Sequence, residues 1–283
     1  AQIESIKDST IEIVKFPLKT SGAFSYFTEY IRLRKFVKQH APHLIHAHYS
    51  YSGIISALAY KKTICSLMGS DIFDDYFLIK LAVRFFYKFI WIETIVKSEE
   101  QLKIFPNAIL IPNGVDLNYF KIIPKDKAIK NTELDKNKIN IIFVAEHITS
   151  KVKNYQLAKA AMKFLPKNYV LYPITGLKHN ELINYYNAAD MLLLTSFSEG
   201  SPNVIKEAMA CNCPIVSTDV GDVKQVIKYT ENCYNCDFEP QDIAEKITKV
   251  ANLQSRSNGR DNIKNLDANL IAKKLCNLYK ECL

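Results

Sequence analysis

Short, unbroken apolar runs alternate with segments of helical period along nearly all of the 283 residues. A strand that is apolar at successive positions must be covered on both faces, and the helices between such strands supply the cover. Strands joined through helices run parallel, with right-handed crossovers. The pattern occurs twice. The first series reads as a strand at "TIEIVKF" (Thr10–Phe16), a helix over Tyr26–His40, a strand at "HLIHAH" (His43–His48) and a helix at "YSGIISALAYKK". It continues with a strand at "TICSLMG", a helix from about Asp74, and strands at "IETIVKS" and "AILIPN". The second series starts at "INIIFVA" (Ile139–Ala145) and runs through helix Asn154–Leu165, strand "NYVLYPIT", helix Asn180–Ala189, strand "DMLLLTS", helix Pro202–Ala210 and strand "CPIVST". A polar stretch, Lys121–Lys138, reads as an exposed linker between them. The expected fold class is therefore α/β, with two doubly wound parallel-sheet domains facing across a cleft. The expected division is 1–116, 117–265 and a terminal helix over 266–283. The opening "AQIESIKDST" reads as the middle of a helix, so residues ahead of it are expected to be missing.

The length accommodates two cores, and 48% hydrophobic against 23% charged residues is ordinary globular composition. No run of about 18 apolar residues is free of charge, so no spanning helix or signal peptide is expected, and the expected location is cytoplasmic. The seven cysteines are odd in number and clustered as Cys211–Cys213 and Cys233–Cys236. Reduced buried thiols are favoured over a disulfide framework or a zinc site. Lys and Arg exceed Asp and Glu by 37 to 29, a net charge of +8 that favours anionic partners.

In open parallel sheets, ligands bind at the carboxyl ends of the strands. There the second series carries "SEGSPNVIKEAMACNCPIVSTDVGD" (Ser198–Asp222). Gly200 permits a tight turn, Ser201 reads as an N-cap and Pro202 suits the first helical position. The amides of Ser201, Asn203 and Val204 would then form an anion site at a helix start. Glu199 and Glu207 bracket it. Carboxylates cannot ligate a phosphate themselves, but they accept hydrogen bonds from hydroxyls on either side of one, as a sugar and a ribose would offer. A helical Glu taken alone is more often a solvated surface residue.

The string from Ser196 to Gly221 resembles the Glu-x7-Glu signature of the retaining GT-B glycosyltransferases of family four. It matches at Ser196, Glu199, Gly200, Pro202, Glu207, Ala208, Ala210, Pro214, Val216, Ser217 and Gly221. "IHAHYSYSG", "LMGSD", "IPNGVD", "KNYQLAKAA" and the terminal "IAKKLCNLYKECL" resemble further family segments in order. The chain is similar to bacterial surface-polysaccharide members of the teichuronic acid type, which begin with a strand and a Gly-containing loop, so by this resemblance a first strand is missing from the first domain. The resemblance implies transfer of a sugar from a UDP- or GDP-linked donor to a glycan or lipid-linked acceptor. The first domain then faces the acceptor and the second holds the nucleotide. It implies that Glu199 faces the donor sugar and that Gly200, Ser201, Pro202, Asn203 and Val204 serve sugar and diphosphate. Glu207 then takes the ribose, Lys153 the diphosphate, and Leu177 the base. Lys151 stands in for an Arg that the family places ahead of Lys153, without the bidentate fork of a guanidinium. His48 reaches the donor's sugar and leaving group. His43 and His46 share its apparent strand, and a metal there is rejected for want of a further ligand. Gly69, Ser70 and Asp71 of "GSD" border the acceptor. No metal or other cofactor is implied, and no nucleic acid.

Two other readings stay open: a non-catalytic nucleotide-sugar-binding protein, and a sugar-nucleotide epimerase on the same two-domain plan. Residues 76–93, "YFLIKLAVRFFYKFIWIE", place Lys80, Arg84 and Lys88 at four-residue spacing among aromatic and aliphatic residues. That pattern suits peripheral contact with an anionic membrane surface. It equally suits a helix whose apolar faces pack into the first domain.

Overall fold

A computed structural model describes residues 5–6, 8, 10–19, 23–69, 77–177 and 181–283. The chain divides into two compact units, 2–112 together with 271–283, and 113–270. Each is a parallel α/β layer structure.

In the first unit, β1 (Ile45–His48), β2 (Thr63–Ser66), β3 (Glu93–Val96) and β4 (Ile109–Leu110) form one parallel sheet in chain order. They alternate with α1 (Ala23–His40), α2 (Ser50–Ala59), α3 (Phe77–Phe89) and α4 (Glu99–Ile104). The core gathers Cys65, Leu67, Val83, Trp91, Val96 and Phe105. Helix α2 lies close to this sheet because Gly53 has no side chain. A Cβ there would come within 2.4 Å of Cys65 Sγ and 2.9 Å of the Trp91 ring. Trp91 in turn donates its Nε1–H to the Gly53 carbonyl at 3.0 Å.

In the second unit the sheet order is β6-β5-β7-β8-β9. The strands are β5 (Ile139–Val144), β6 (Tyr169–Ile174), β7 (Met191–Leu194), β8 (Ile215–Thr218) and β9 (Cys233–Cys236). A short α5 (Lys125–Ala128) precedes them. They alternate with α6 (Tyr155–Met162), α7 (Leu182–Ala188), α8 (Asn203–Ala210) and α9 (Val223–Ile227), and α10 (Pro240–Leu253) and α11 (Gly259–Asn262) follow. The chain adds β6 on one side of β5 and then β7 on the other. This reversal opens a crevice between the carboxyl ends of β5 and β7, where the loops diverge. The last helix, α12 (Ala268–Glu281), belongs to the first unit from Ile271 on.

Three expectations need correction. Thr10–Phe16 is not a strand, because no described strand pairs with it and all but Ile11 and Phe16 are exposed. His43 precedes β1 and is exposed, so only His46 and His48 sit on the strand. Lys121–Lys138 is not a free linker. It contains α5, whose Ala128 is fully buried, and Ile123 N–H bonds Asn187 Oδ1 at 2.8 Å while Lys125 pairs with Asp190 at 2.5 Å. Ser70, Asp71 and the expected helix start at Asp74 lie outside the described residues.

Candidate active site

The loop after β5 and the loop after β7 are clipped together by backbone. Phe197 N–H bonds the Val152 carbonyl at 2.8 Å, and the Thr195 hydroxyl bonds the carbonyls of Asn154 at 2.9 Å and Lys153 at 3.3 Å. The clip brings Lys153 Nζ to 2.6 Å from Glu199 Oε1, and the Ser196 hydroxyl donates to the same oxygen at 2.8 Å. Neither side chain is fully buried, at 27% and 15% exposed, so both remain accessible at the mouth of the crevice. A third loop holds the second from behind. Gly221 has φ +60°, and a Cβ on it would meet the Gly200 carbonyl oxygen at 2.4 Å. Only glycine permits both that dihedral and that approach.

Helix α8 begins at Asn203, with Pro202 at its N-cap and no side chain capping it. No acidic residue occupies its first turn, so the amide end keeps its partial positive charge. Ser201 was expected as this cap and is instead engaged elsewhere. Its hydroxyl donates to Asp222 Oδ2 at 2.6 Å and accepts from Asn113 N–H at 3.0 Å and from Lys206 Nζ. One donor and two acceptor positions are thereby used, the full capacity of a hydroxyl. Lys206, fully buried, also pairs with Asp222 at 2.8 Å. Breaking such a pair by removing one partner costs about 3–5 kcal/mol. Asn113 Nδ2 closes the cluster on the Ser201 carbonyl at 2.9 Å.

Glu207 is 5% exposed, not a solvated helix residue. The fully buried Tyr186 of α7 donates its hydroxyl to Glu207 Oε2 at 2.8 Å. Burial, and then the Glu207 carboxylate, hold the Tyr186 phenol well above its usual range, so it stays a donor. Two arginines fix the helices that present this pair. Arg256 donates to the carbonyls of Ala189, Tyr186 and Cys211, and Arg260 to those of Ala210, Phe120 and Leu117. Carbonyls at the ends of α7 and α8 are thus satisfied by guanidinium.

Lys151 lies exposed on the turn before Lys153, and Leu177 is partly buried after β6. All seven cysteines are free thiols. Burial pushes Cys211, Cys233 and Cys236 up to about 12 and Cys213 up to about 11. His48 belongs to the first unit, at the end of β1. Its ring stacks on His46 with centroids 4.6 Å apart. His46 is held on both sides, by the Tyr279 hydroxyl at 2.6 Å and the Ser66 hydroxyl at 2.8 Å. Burial, followed by the Lys97 ammonium, brings His48 down to about 4. The sequence reading missed Lys97, Tyr186, Lys206, Asp222, Arg256, Arg260 and Tyr279, since each acts through a partner distant in the chain.

Two parallel-sheet units, one with a Lys–Glu pair at its switch point and an uncapped helix start beside it, define a GT-B type of molecule. Residues 127–266 match the family described as glycosyl transferases group 1, and residues 1–94 match glycosyl transferase 4-like. The chain belongs to these family-four glycosyltransferases. It is 25% identical over 243 residues to the putative teichuronic acid biosynthesis glycosyltransferase TuaC of Bacillus subtilis, covering 75% of this chain and 62% of that one. It is 24% identical over 235 residues to the N,N'-diacetylbacillosaminyl-diphospho-undecaprenol alpha-1,3-N-acetylgalactosaminyltransferase of Campylobacter jejuni, covering 71% of this chain and 62% of the relative. The chain thus spans somewhat less than two thirds of the length of these two relatives. Among solved structures, HepE of Anabaena in complex with UDP-glucose superposes with a TM-score of 0.77 at 15% identity, over 89% of this chain and 82% of that one, a likeness of fold.

Proposed function

We propose that the protein is a retaining, metal-independent glycosyltransferase. In this reading it moves a sugar from a nucleoside-diphosphate sugar, UDP- or GDP-linked, to a glycan or lipid-linked acceptor in surface-polysaccharide synthesis. One observation carries the reading: Lys153 and Glu199 meet at 2.6 Å between the carboxyl ends of β5 and β7, beside the uncapped start of α8. The diphosphate would take Lys153 and the α8 amides, the donor sugar Glu199, and the ribose Glu207. HepE with UDP-glucose favours uridine, and the Campylobacter relative favours a lipid-linked acceptor.

In the proposed step the bond from the sugar's anomeric carbon to the phosphate oxygen breaks, and the diphosphate leaves with the electron pair. The acceptor oxygen bonds the same carbon from the same face, and its proton passes to a phosphate oxygen. Lys153 and the helix amides stabilise charge growing on the leaving group. Glu199 orients the sugar and does not attack. The reading extends to peripheral contact with an anionic membrane surface through residues 76–93, at the inner face of the membrane.

Thermal shifts against UDP-, GDP- and ADP-sugars, followed by transfer assays with excess chelator, test it. One nucleotide class should stabilise the chain, and transfer should give a product of unchanged anomeric configuration with chelator present. Binding without release of nucleoside diphosphate would leave a pure binder. Inversion, or activity restored only by Mg²⁺ or Mn²⁺, would overturn the mechanism.

A further inference from the structure

Two phenyl rings stand in water at the carboxyl edge of the second unit's sheet. Phe197 and Phe238 are 59 and 44% exposed, and their rings stack with centroids 5.6 Å apart and planes 18° apart. Phe197 comes after β7, two residues ahead of Glu199, and Phe238 comes after β9, two residues ahead of α10. Both are carried on fixed backbone. Phe197 N–H bonds the Val152 carbonyl at 2.8 Å, and the Asp242 carboxylate in the first turn of α10 accepts the Asp237 N–H at 2.8 Å. Val152, exposed as well, adjoins Phe197 through that bond. Asp237 and Glu239 flank Phe238. Both are exposed, and neither is in an ion pair among the described residues.

Paired rings that no core takes up, held rigidly on the loop that carries Glu199, form a surface for a ligand. A nucleobase stacks on such rings, but the strand order puts them at the wrong end. Leu177, which the family resemblance gives to the base, follows β6, and β9 is at the opposite edge of the sheet. An anionic lipid surface would meet Asp237 and Glu239 with the wrong sign. A protein partner would bury the Glu199 loop and shut the crevice that a donor must enter. A pyranose fits each feature. The C–H face of its ring lies flat on a phenyl group, its hydroxyls donate to carboxylates, and it carries no charge of its own. We propose that Phe197 and Phe238, with Asp237 and Glu239, form a glycan subsite that holds a pyranose beyond the one at Glu199. Its use rests on the proposed function: it would grip an acceptor of two or more sugars, and so favour extension of an existing glycan over transfer to a single sugar.

The test is saturation-transfer NMR and calorimetric titration of the full chain with cellotetraose, maltotetraose and chitotetraose, beside glucose, in the absence of donor. At least one tetrasaccharide should bind more tightly than glucose. Phe197→Ala with Phe238→Ala should weaken that binding about 10-fold or more. Phe197→Tyr with Phe238→Tyr should keep it, since a phenol offers the same face. Asp237→Asn with Glu239→Gln should weaken it several-fold, through loss of the charged acceptors. All three variants should keep the affinity of the parent chain for UDP and GDP, because Lys153 and Glu207 are untouched. Binding of none of the tetrasaccharides, or binding that survives the alanine pair, would overturn the proposal. The nucleotide titration stands apart: a chain that binds a tetrasaccharide through these rings but neither UDP nor GDP would fail the proposed function and keep the subsite.

Discussion

Lys153 and Glu199 pair at 2.6 Å, which sharpens what single substitutions should do under the proposed function. Glu207→Ala removes a charged acceptor proposed for the ribose, worth roughly 1.5–3 kcal/mol. Affinity for the bare nucleoside diphosphate should fall about 10–100-fold. Glu199→Ala should leave that affinity intact or raise it, because Lys153 is released toward the diphosphate, while kcat falls. Tyr186→Phe removes one hydrogen-bond donor to Glu207 and leaves the carboxylate in place, and should weaken diphosphate binding less than Glu207→Ala does. Calorimetric titration with the diphosphate, beside steady-state kinetics with the sugar donor, separates these effects. Equal affinity losses at Glu199 and Glu207 would refute the division of roles.

Among elements, the loop that carries Glu199 is shaped by its neighbours more than by its own residues. Gly221→Ala places a methyl 2.4 Å from the Gly200 carbonyl oxygen and forces a left-handed dihedral on a residue with a Cβ. The dihedral alone costs about 1–2 kcal/mol. The variant should melt several degrees lower and lose most of its donor-induced thermal shift. An unchanged midpoint and an unchanged shift would show that the contact is not tight. The sheets themselves were readable because parallel strands buried on both faces are unbroken apolar runs, as at Ile139–Val144 and Met191–Leu194. Thr10–Phe16 has the alternation of a strand but no described strand beside it, and pairing is not a local property. The motif residues of the candidate site could equally be singled out from sequence, since Glu199, Gly200 and Glu207 sit within one loop and helix. Their supports were not. Lys206 has the polarity of a surface residue, and only the fold places Asp222 and Ser201 against it. Ser201 has the chemistry of a cap, and that same cluster takes its hydroxyl away.

For the molecule as a whole, stability should depend on pH through two imidazoles of the first unit. Burial, and then His48 and Lys97, keep His46 well below its usual range, while burial and Lys97 bring His48 to about 4. The unfolded chain takes up protons near pH 6.5 and the folded chain does not until well below that. Their neutral burial is therefore without penalty above about pH 6.5, and stability is lost as pH falls from there toward about 4. Melting curves between about pH 7.5 and 5 should show this decline, and His46→Asn with His48→Asn should flatten its slope whatever they do to the midpoint. A slope unchanged in that double variant would place the proton uptake elsewhere. His46 also touches the last helix, where Tyr279 bonds it, and Lys280 of the same helix pairs with Asp8. Residues 271–283 thus finish a unit begun at the other terminus, while 113–270 is contiguous. On the ribosome, where domains fold as they emerge, the later-starting unit is the first to hold all of its own residues. The earlier one waits, with the Tyr279 side of His46 bare, until residues 271–283 leave the exit tunnel.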